Sequence, residues 1–182
     1  ITKGYPMFWS KQQPQVSIDH LHTWNQSKIF YCLYSRPTAA RLGIASYMLD
    51  NYNDQTHLHF SKTLNEDDLV HFELDKLLTY TTDLEPAARL INRLPITLGA
   101  TDKHTNFNGY DYSDPLTEFY QDIFIDLVVE SHILGNTFFP TEKTFRAMWM
   151  KKPFIVFSTI GFMENLQEMG FKTFNNYWSE DY

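Results

Sequence analysis

The three residues Thr141-Glu142-Lys143 set the chemical question. Pro140 followed by Thr141 reads as a helix entrance with Thr141 as N-cap. Glu142 suits the positive end of the helix dipole, whereas Lys143 in the same first turn opposes it. A lysine there is understandable if an anion sits at the helix end. A second loop, Ser35 to Arg41 ("SRPTAAR"), adds Arg36 and Arg41, with Arg41 about one turn into its own helix. An arginine fork, a lysine and a helix N-terminus together suit a diphosphate. A neighbouring carboxylate, Glu130 or Glu142, suits a ribose diol, because each oxygen accepts from a hydroxyl. The bland alternative is that Glu142 and Lys143 are solvated first-turn residues and that Arg41 pairs with a nearby acid. On these residues alone both readings stand.

Other candidates carry less. His57 and His59 lie two apart on an expected strand and so face one side, as two ligands of a metal would, but no third ligand stands at a matching spacing. His20 and His22 repeat that spacing in an irregular stretch. The acids Glu66 to Asp68 complement a helix N-terminus and need no further role. Asp111 and Asp114 do not make the Asp-x-Asp pattern of metal-dependent transferases, so no metal and no cofactor is expected. There is no Gly-x-x-x-x-Gly-Lys loop and no Gly-x-Ser-x-Gly elbow, and the chain has only seven glycines, which disfavours a phosphate-handling hydrolase or kinase.

The elements that must position the candidate residues alternate in type. "KIFYCLYS" (Lys28–Ser35) reads as a buried parallel strand, followed by a helix from Pro37 to about Asp50 with Ala40, Ile44, Tyr47 and Met48 on one side. "THLHFS" (Thr56–Ser61) alternates like a strand. A helix is expected from a cap at Asn65, with Leu69, Phe72, Leu74 and Leu77 on its apolar face. Residues 81–114 are the least periodic; "LEPAARLINRLP" reads as a short helix, the remainder as turns in a docking or functional segment. "LTEFYQD" reads as helix, Ile123–Ser131 as strand, Thr141 to about Lys151 as helix, Pro153–Ser158 as buried strand. Gly161 precedes the helix "FMENLQEM", Gly170 ends it, and "FKTF" (Phe171–Phe174) reads as a final strand. Such alternation predicts an α/β, Rossmann-like three-layer domain with a mainly parallel sheet. Ligands of such domains bind outside the carboxyl ends of the strands, where both candidate loops fall.

The chain has 182 residues, enough for one domain with a sizeable core. Its net charge of −7 argues against nucleic acid as a partner while leaving room for a small phosphorylated ligand. The single cysteine, Cys32, excludes an intramolecular disulfide and suits a reducing, cytoplasmic setting. No signal-peptide pattern and no transmembrane run is present. Residues 1–27 read as an N-terminal arm or interdomain segment and 28–182 as the domain. The chain opens at Ile1 without a methionine and ends soon after a helix–strand unit, which suggests a piece truncated relative to a longer protein. The late aromatics Tyr177, Trp178 and Tyr182 suit packing against a missing segment.

The stretch "LVVESHILGNTFFPTEKTFRAMWMKKPFIVF" resembles the donor-binding motif of alpha-1,3-fucosyltransferases: strand, acid-containing loop, spacer, Thr-Glu-Lys, aromatic-rich helix, basic pair, Pro, hydrophobic strand. Glu130 and Ser131 match the first part, Thr141, Glu142 and Lys143 the second, and Pro153 to Phe157 the last. "KIFYCLYSRPTAARLGIASYML" is similar to the family's other donor-side segment, with Arg41 matching its arginine and Arg36 as the rival. The resemblance spans roughly Lys28 to Phe174 and is specific over Lys28–Leu49 and Leu127–Phe157. His132 stands near the position of the family's asparagine, and residues 81–114 have no match, so the sugar is not specified. The resemblance implies the C-terminal half of a GT-B architecture, which holds a nucleotide sugar such as a GDP-sugar. It implies a metal-independent, inverting transfer to a glycan or other hydroxyl acceptor. Glu142 would hold ribose hydroxyls. Lys143 and Arg41 would stabilise the leaving diphosphate, with Arg36, Glu130, Ser131 and Thr141 lining the same site. The general base would lie in an N-terminal domain outside this chain. The alternative is a non-catalytic α/β interaction domain that keeps the fold without transferase activity.

Overall fold

A computed structural model describes residues 27–60, 74–98 and 115–180. All but the last residue of the expected arm over 1–27, with His20 and His22, the cap at Asn65 with Glu66 to Asp68, the turns through Asp111 and Asp114, and Tyr182 lie outside the described residues. The elements run β1 (Phe30–Tyr34), α1 (Ala39–Tyr52), β2 (Thr56–Phe60), α2 (Leu74–Leu78), α3 (Leu84–Ile91), a 3-10 helix (Pro115–Asp122), β3 (Ile125–Val129), α4 (Glu142–Trp149), β4 (Phe154–Phe157) and α5 (Phe162–Glu168).

The strands form one sheet in the order β2-β1-β3-β4. All three strand pairings are parallel, with Phe30 opposite Thr56 and Ile125, and Asp126 opposite Phe154. The fold is therefore the expected α/β three-layer type. The side-chain period of two divides each strand between two cores. Cys32, Tyr34, Leu58, Phe60 and Val129 pack against α1, α2 and α3 on one face. On the other face, Tyr31 and Leu33 pack with Tyr120 and Ile123, and Val128, Phe154 and Val156 pack with α4 and α5. After β2 the chain crosses β1 to lay down β3 on the opposite side. The carboxyl ends of β1 and β3 thus flank the topological switch point, where open α/β sheets hold ligands. Among the described residues, no helix is long and apolar enough to cross a membrane.

Helix α1 differs from its expected surface. Helix α1 buries Ala40, Arg41, Leu42, Ala45 and Met48, while Tyr47 points outward at 56% exposure. The broad buried surface arises because α1 packs on the sheet and also under the turn after α2. A Cβ at Gly43 would stand 2.6 Å from Tyr80 Cβ, so only glycine allows that approach. Helix α4 ends in a Schellman turn, with Lys151 N–H donating to Met148 O (3.0 Å) and Lys152 N–H to Ala147 O (3.1 Å). Lys151 takes the left-handed position at φ 52° that glycine usually fills. Helix α5 ends as expected, at Gly170 with φ 90°. The expected strand Phe171–Phe174 is instead irregular chain. Phe171 and Phe174 turn inward onto the α4–α5 core, and this apolar docking replaces pairing with β4.

Candidate functional site

Glu130, the residue after β3, organises the entrance to α4. It is 2% exposed. Its Oε1 accepts from Thr141 N (3.0 Å) and Thr144 Oγ1 (2.6 Å), and its Oε2 accepts from the Thr141 hydroxyl. A buried carboxylate with three donors is well compensated, and a negative charge at a helix N-terminus is favourable. Because Thr141 gives its proton to Glu130, its oxygen lone pairs are free to accept. They take the backbone N–H of Lys143 (3.4 Å), completing the N-cap, and the Lys143 ammonium (3.1 Å).

Lys143 folds back over the helix entrance rather than extending into water. Its Nζ donates to Glu142 Oε1 (2.6 Å), Thr141 Oγ1 (3.1 Å) and Ser131 Oγ (3.3 Å). All three ammonium protons therefore have acceptors, and only one of these carries charge. Burial works against ionising Glu142, but Lys143 beside it, its own backbone N–H and Arg146 hold it below the usual carboxylate range.

Arg41 reaches the same place from the other loop. Its backbone N–H caps onto Thr38 Oγ1 (3.4 Å), and its side chain is buried along the switch point. Nη1 donates to Arg36 O (3.1 Å) and Nη2 to Val129 O (3.2 Å), tying the β1 loop to the end of β3. Nε is buried with no acceptor. An orphaned buried donor costs about 1–3 kcal/mol. Burial lowers Arg41 from its ordinary basicity, and Tyr34, Glu130 and Glu142 oppose that shift. Arg36 itself is exposed at the rim, as is Ser131. The structure thus brings Arg41, Glu130, Ser131, Thr141, Glu142 and Lys143 to one end of the sheet, with Glu130 turned inward as a brace.

The two strand histidines have their own side-chain contacts. His57 Nε2 contacts Asp122 Oδ2 (2.8 Å), and His59 Nδ1 accepts from Leu98 N (3.3 Å). Among the described residues, no group of three or more His, Cys, Asp or Glu side chains could hold a metal ion.

Sequence reasoning missed two supports. Thr144, buried one turn beyond Thr141, supplies the third donor to Glu130. Beneath α4, Arg146 Nε donates to Tyr120 Oη (2.6 Å), and Tyr120 donates to Asp126 Oδ2 (2.5 Å). Arg146 Nη2 lies 3.7 Å from the same oxygen, with both side chains nearly sealed from solvent. The signal available was Asp126 itself, an acid inside an otherwise apolar strand, which demands a partner. Comparison with known proteins gives no match to this chain among protein-family models, curated proteins or solved structures.

Proposed function

We propose that this domain binds the diphosphate of a nucleotide sugar at the α4 entrance and is the donor-binding half of a metal-independent, inverting glycosyltransferase. The observation that carries the reading is the convergence of Lys143, the orphaned Nε of Arg41 and the N-terminus of α4 on one switch point. Lys143 and Arg41 neutralise the diphosphate. Charge grows there as the glycosidic bond breaks, so fixed cations stabilise the transition state more than the ground state. Glu142 accepts from the ribose hydroxyls. Glu130 keeps Thr141 and Thr144, and through them Lys143, in place. Arg36 reaches the outer phosphate from the rim, beside the hydroxyl of Ser131.

Calorimetry with GDP, UDP, CDP and ADP tests this. At least one should bind with a Kd of roughly micromolar to millimolar, and Lys143→Ala or Arg41→Ala should weaken it by about tenfold or more, the usual worth of a charged hydrogen bond. Failure of all four at millimolar ligand defeats the proposal. The second reading, a non-catalytic interaction domain, is favoured by exposed apolar side chains such as Ile160 (80%) and Tyr177 (81%). It predicts that none of the nucleotides binds.

A further inference from the structure

Resting on the diphosphate reading, the geometry points to Glu142 as a selectivity gate: its carboxylate occupies the anion position on Lys143, and only a diphosphate bearing a ribose diol compensates it for leaving. Lys143 Nζ has no spare proton, since Glu142, Thr141 and Ser131 take all three. An incoming phosphate oxygen must therefore displace an acceptor. Displacing Glu142 exchanges one charge-assisted bond for another, whereas displacing a hydroxyl would leave the anion beside an ionised carboxylate.

Apart from Arg36 exposed at the rim and Arg146 paired with Asp126 beneath α4, the charges around the entrance balance before any ligand arrives. Arg41 and Lys143 are the cations held there, and Glu130 and Glu142 the carboxylates. Glu130 is locked by its three donors and cannot yield. Glu142 is held only by its neighbours at the helix end and keeps 23% of its side chain in solvent, so it is the group that can swing away. Arg41 Nε adds an independent sign that an acceptor belongs here, being buried without one.

The consequence depends on what the anion carries. Inorganic phosphate or pyrophosphate evicts Glu142 and leaves its carboxylate near the new negative charge, with the Lys143 ammonium replaced only by water. A nucleoside diphosphate evicts it and offers two ribose hydroxyls in exchange. Glu142 thus weakens bare anions and strengthens nucleotides, and specificity is the difference between the two.

The test compares the wild-type chain with Glu142→Gln and Glu142→Ala, each checked for an unchanged circular dichroism spectrum. Pyrophosphate and the best-binding nucleotide of the four above are titrated by calorimetry. Both variants should bind pyrophosphate about tenfold more tightly and the nucleotide about tenfold more weakly, the scale of one charge-assisted hydrogen bond. A substitution that weakens both ligands, or leaves pyrophosphate affinity unchanged, overturns the gate while nucleotide binding by wild type preserves the diphosphate site. If neither ligand binds any of the three chains, gate and site fall together.

Discussion

Arg146→Met should destabilise the domain far more than its distance from the proposed ligand suggests. Arg146 and Asp126 are 4% and 0% exposed, and Tyr120 bridges them by two hydrogen bonds. Methionine fills the space of the arginine stem but removes its charge, leaving an ionised carboxylate in an apolar layer. Breaking a buried pair in this way costs about 3–5 kcal/mol. At roughly 2–4 °C per kcal/mol for a chain of this size, Tm should fall by about 6–20 °C. The double variant Asp126→Asn/Arg146→Met removes the stranded charge and keeps an acceptor for Tyr120. It should recover about 2 kcal/mol relative to Arg146→Met, within the range of contacting pairs. The deficit should also depend on pH. Burial holds Asp126 above its ordinary value even with Arg146 and Tyr120 lowering it, and losing Arg146 raises it further. A raised acid contributes its stability below the unfolded value, about 3.9, and loses it as pH rises through the folded one. The Arg146→Met deficit should therefore grow from acid to neutral pH. Urea unfolding followed by circular dichroism, from pH 4 to 8, measures the cost, its recovery and its pH dependence, and thermal unfolding measures the Tm. A single-variant cost below about 1 kcal/mol, the level of an exposed pair, or a double variant no more stable than Arg146→Met, would refute the argument.

Glu130→Gln keeps the shape of the brace and can keep a carbonyl oxygen on Thr141 N and Thr144 Oγ1, but it then presents an amide N–H to Thr141 Oγ1, which now donates to the carboxylate and already accepts from Lys143. It should cost about 1–3 kcal/mol in urea unfolding and also weaken nucleotide binding, because Lys143 loses its oriented partner. Cys32 is fully buried and its thiol is pushed up to about 12 by burial, so it should resist alkylation at pH 7.5 in the native protein. It should become fully reactive only across the urea transition seen by circular dichroism, and rapid native labelling would contradict the packing of β1. Glu142, lowered on balance despite its burial, should support the fold above its unfolded value of about 4.3 and lose that support as pH falls through its lower folded value. The stability gap between wild type and Glu142→Gln should thus narrow from about pH 5 to pH 3, and a constant gap would show that the ion pair contributes nothing.

Much of the fold was legible because buried parallel strands write themselves as short apolar runs. "FYCLY", "IDLVV" and "FIVF" each fall within the stretch expected for them, trimmed by a residue or two at the ends. Helix ends were legible through Thr141 and Gly170, whose side chain or lack of one satisfies helix-end groups, whereas the first helix starts after the Thr38 cap rather than at Pro37. Burial on α1 was less so. Of its four expected apolar positions Ala40 and Met48 are buried and Tyr47 points outward, while the fold also buries Gly43 under Tyr80 and Arg41 against the end of β3, contacts that no local pattern encodes. "FKTF" fits a strand by composition, and its two phenylalanines are drawn instead to the α4–α5 core. At the site, the helix-dipole conflict at Lys143 was readable, and its resolution was not. Local spacing cannot say that Lys143 turns back onto Glu142, or that Glu130 spends both oxygens on Thr141 and Thr144. Tyr120, Asp126 and Arg146 come from three separate elements, so their cluster exists only once the sheet and α4 are assembled.

The most direct measurement is a crystal of this chain soaked with the tightest-binding nucleoside diphosphate. The account predicts density at the entrance of α4, phosphate oxygens about 3 Å from Lys143 Nζ, a normal hydrogen-bond length, an acceptor within reach of Arg41 Nε, and Glu142 turned from Lys143 toward the ribose. A nucleotide bound elsewhere on the sheet, or one bound here with the Glu142–Lys143 pair intact, would contradict it.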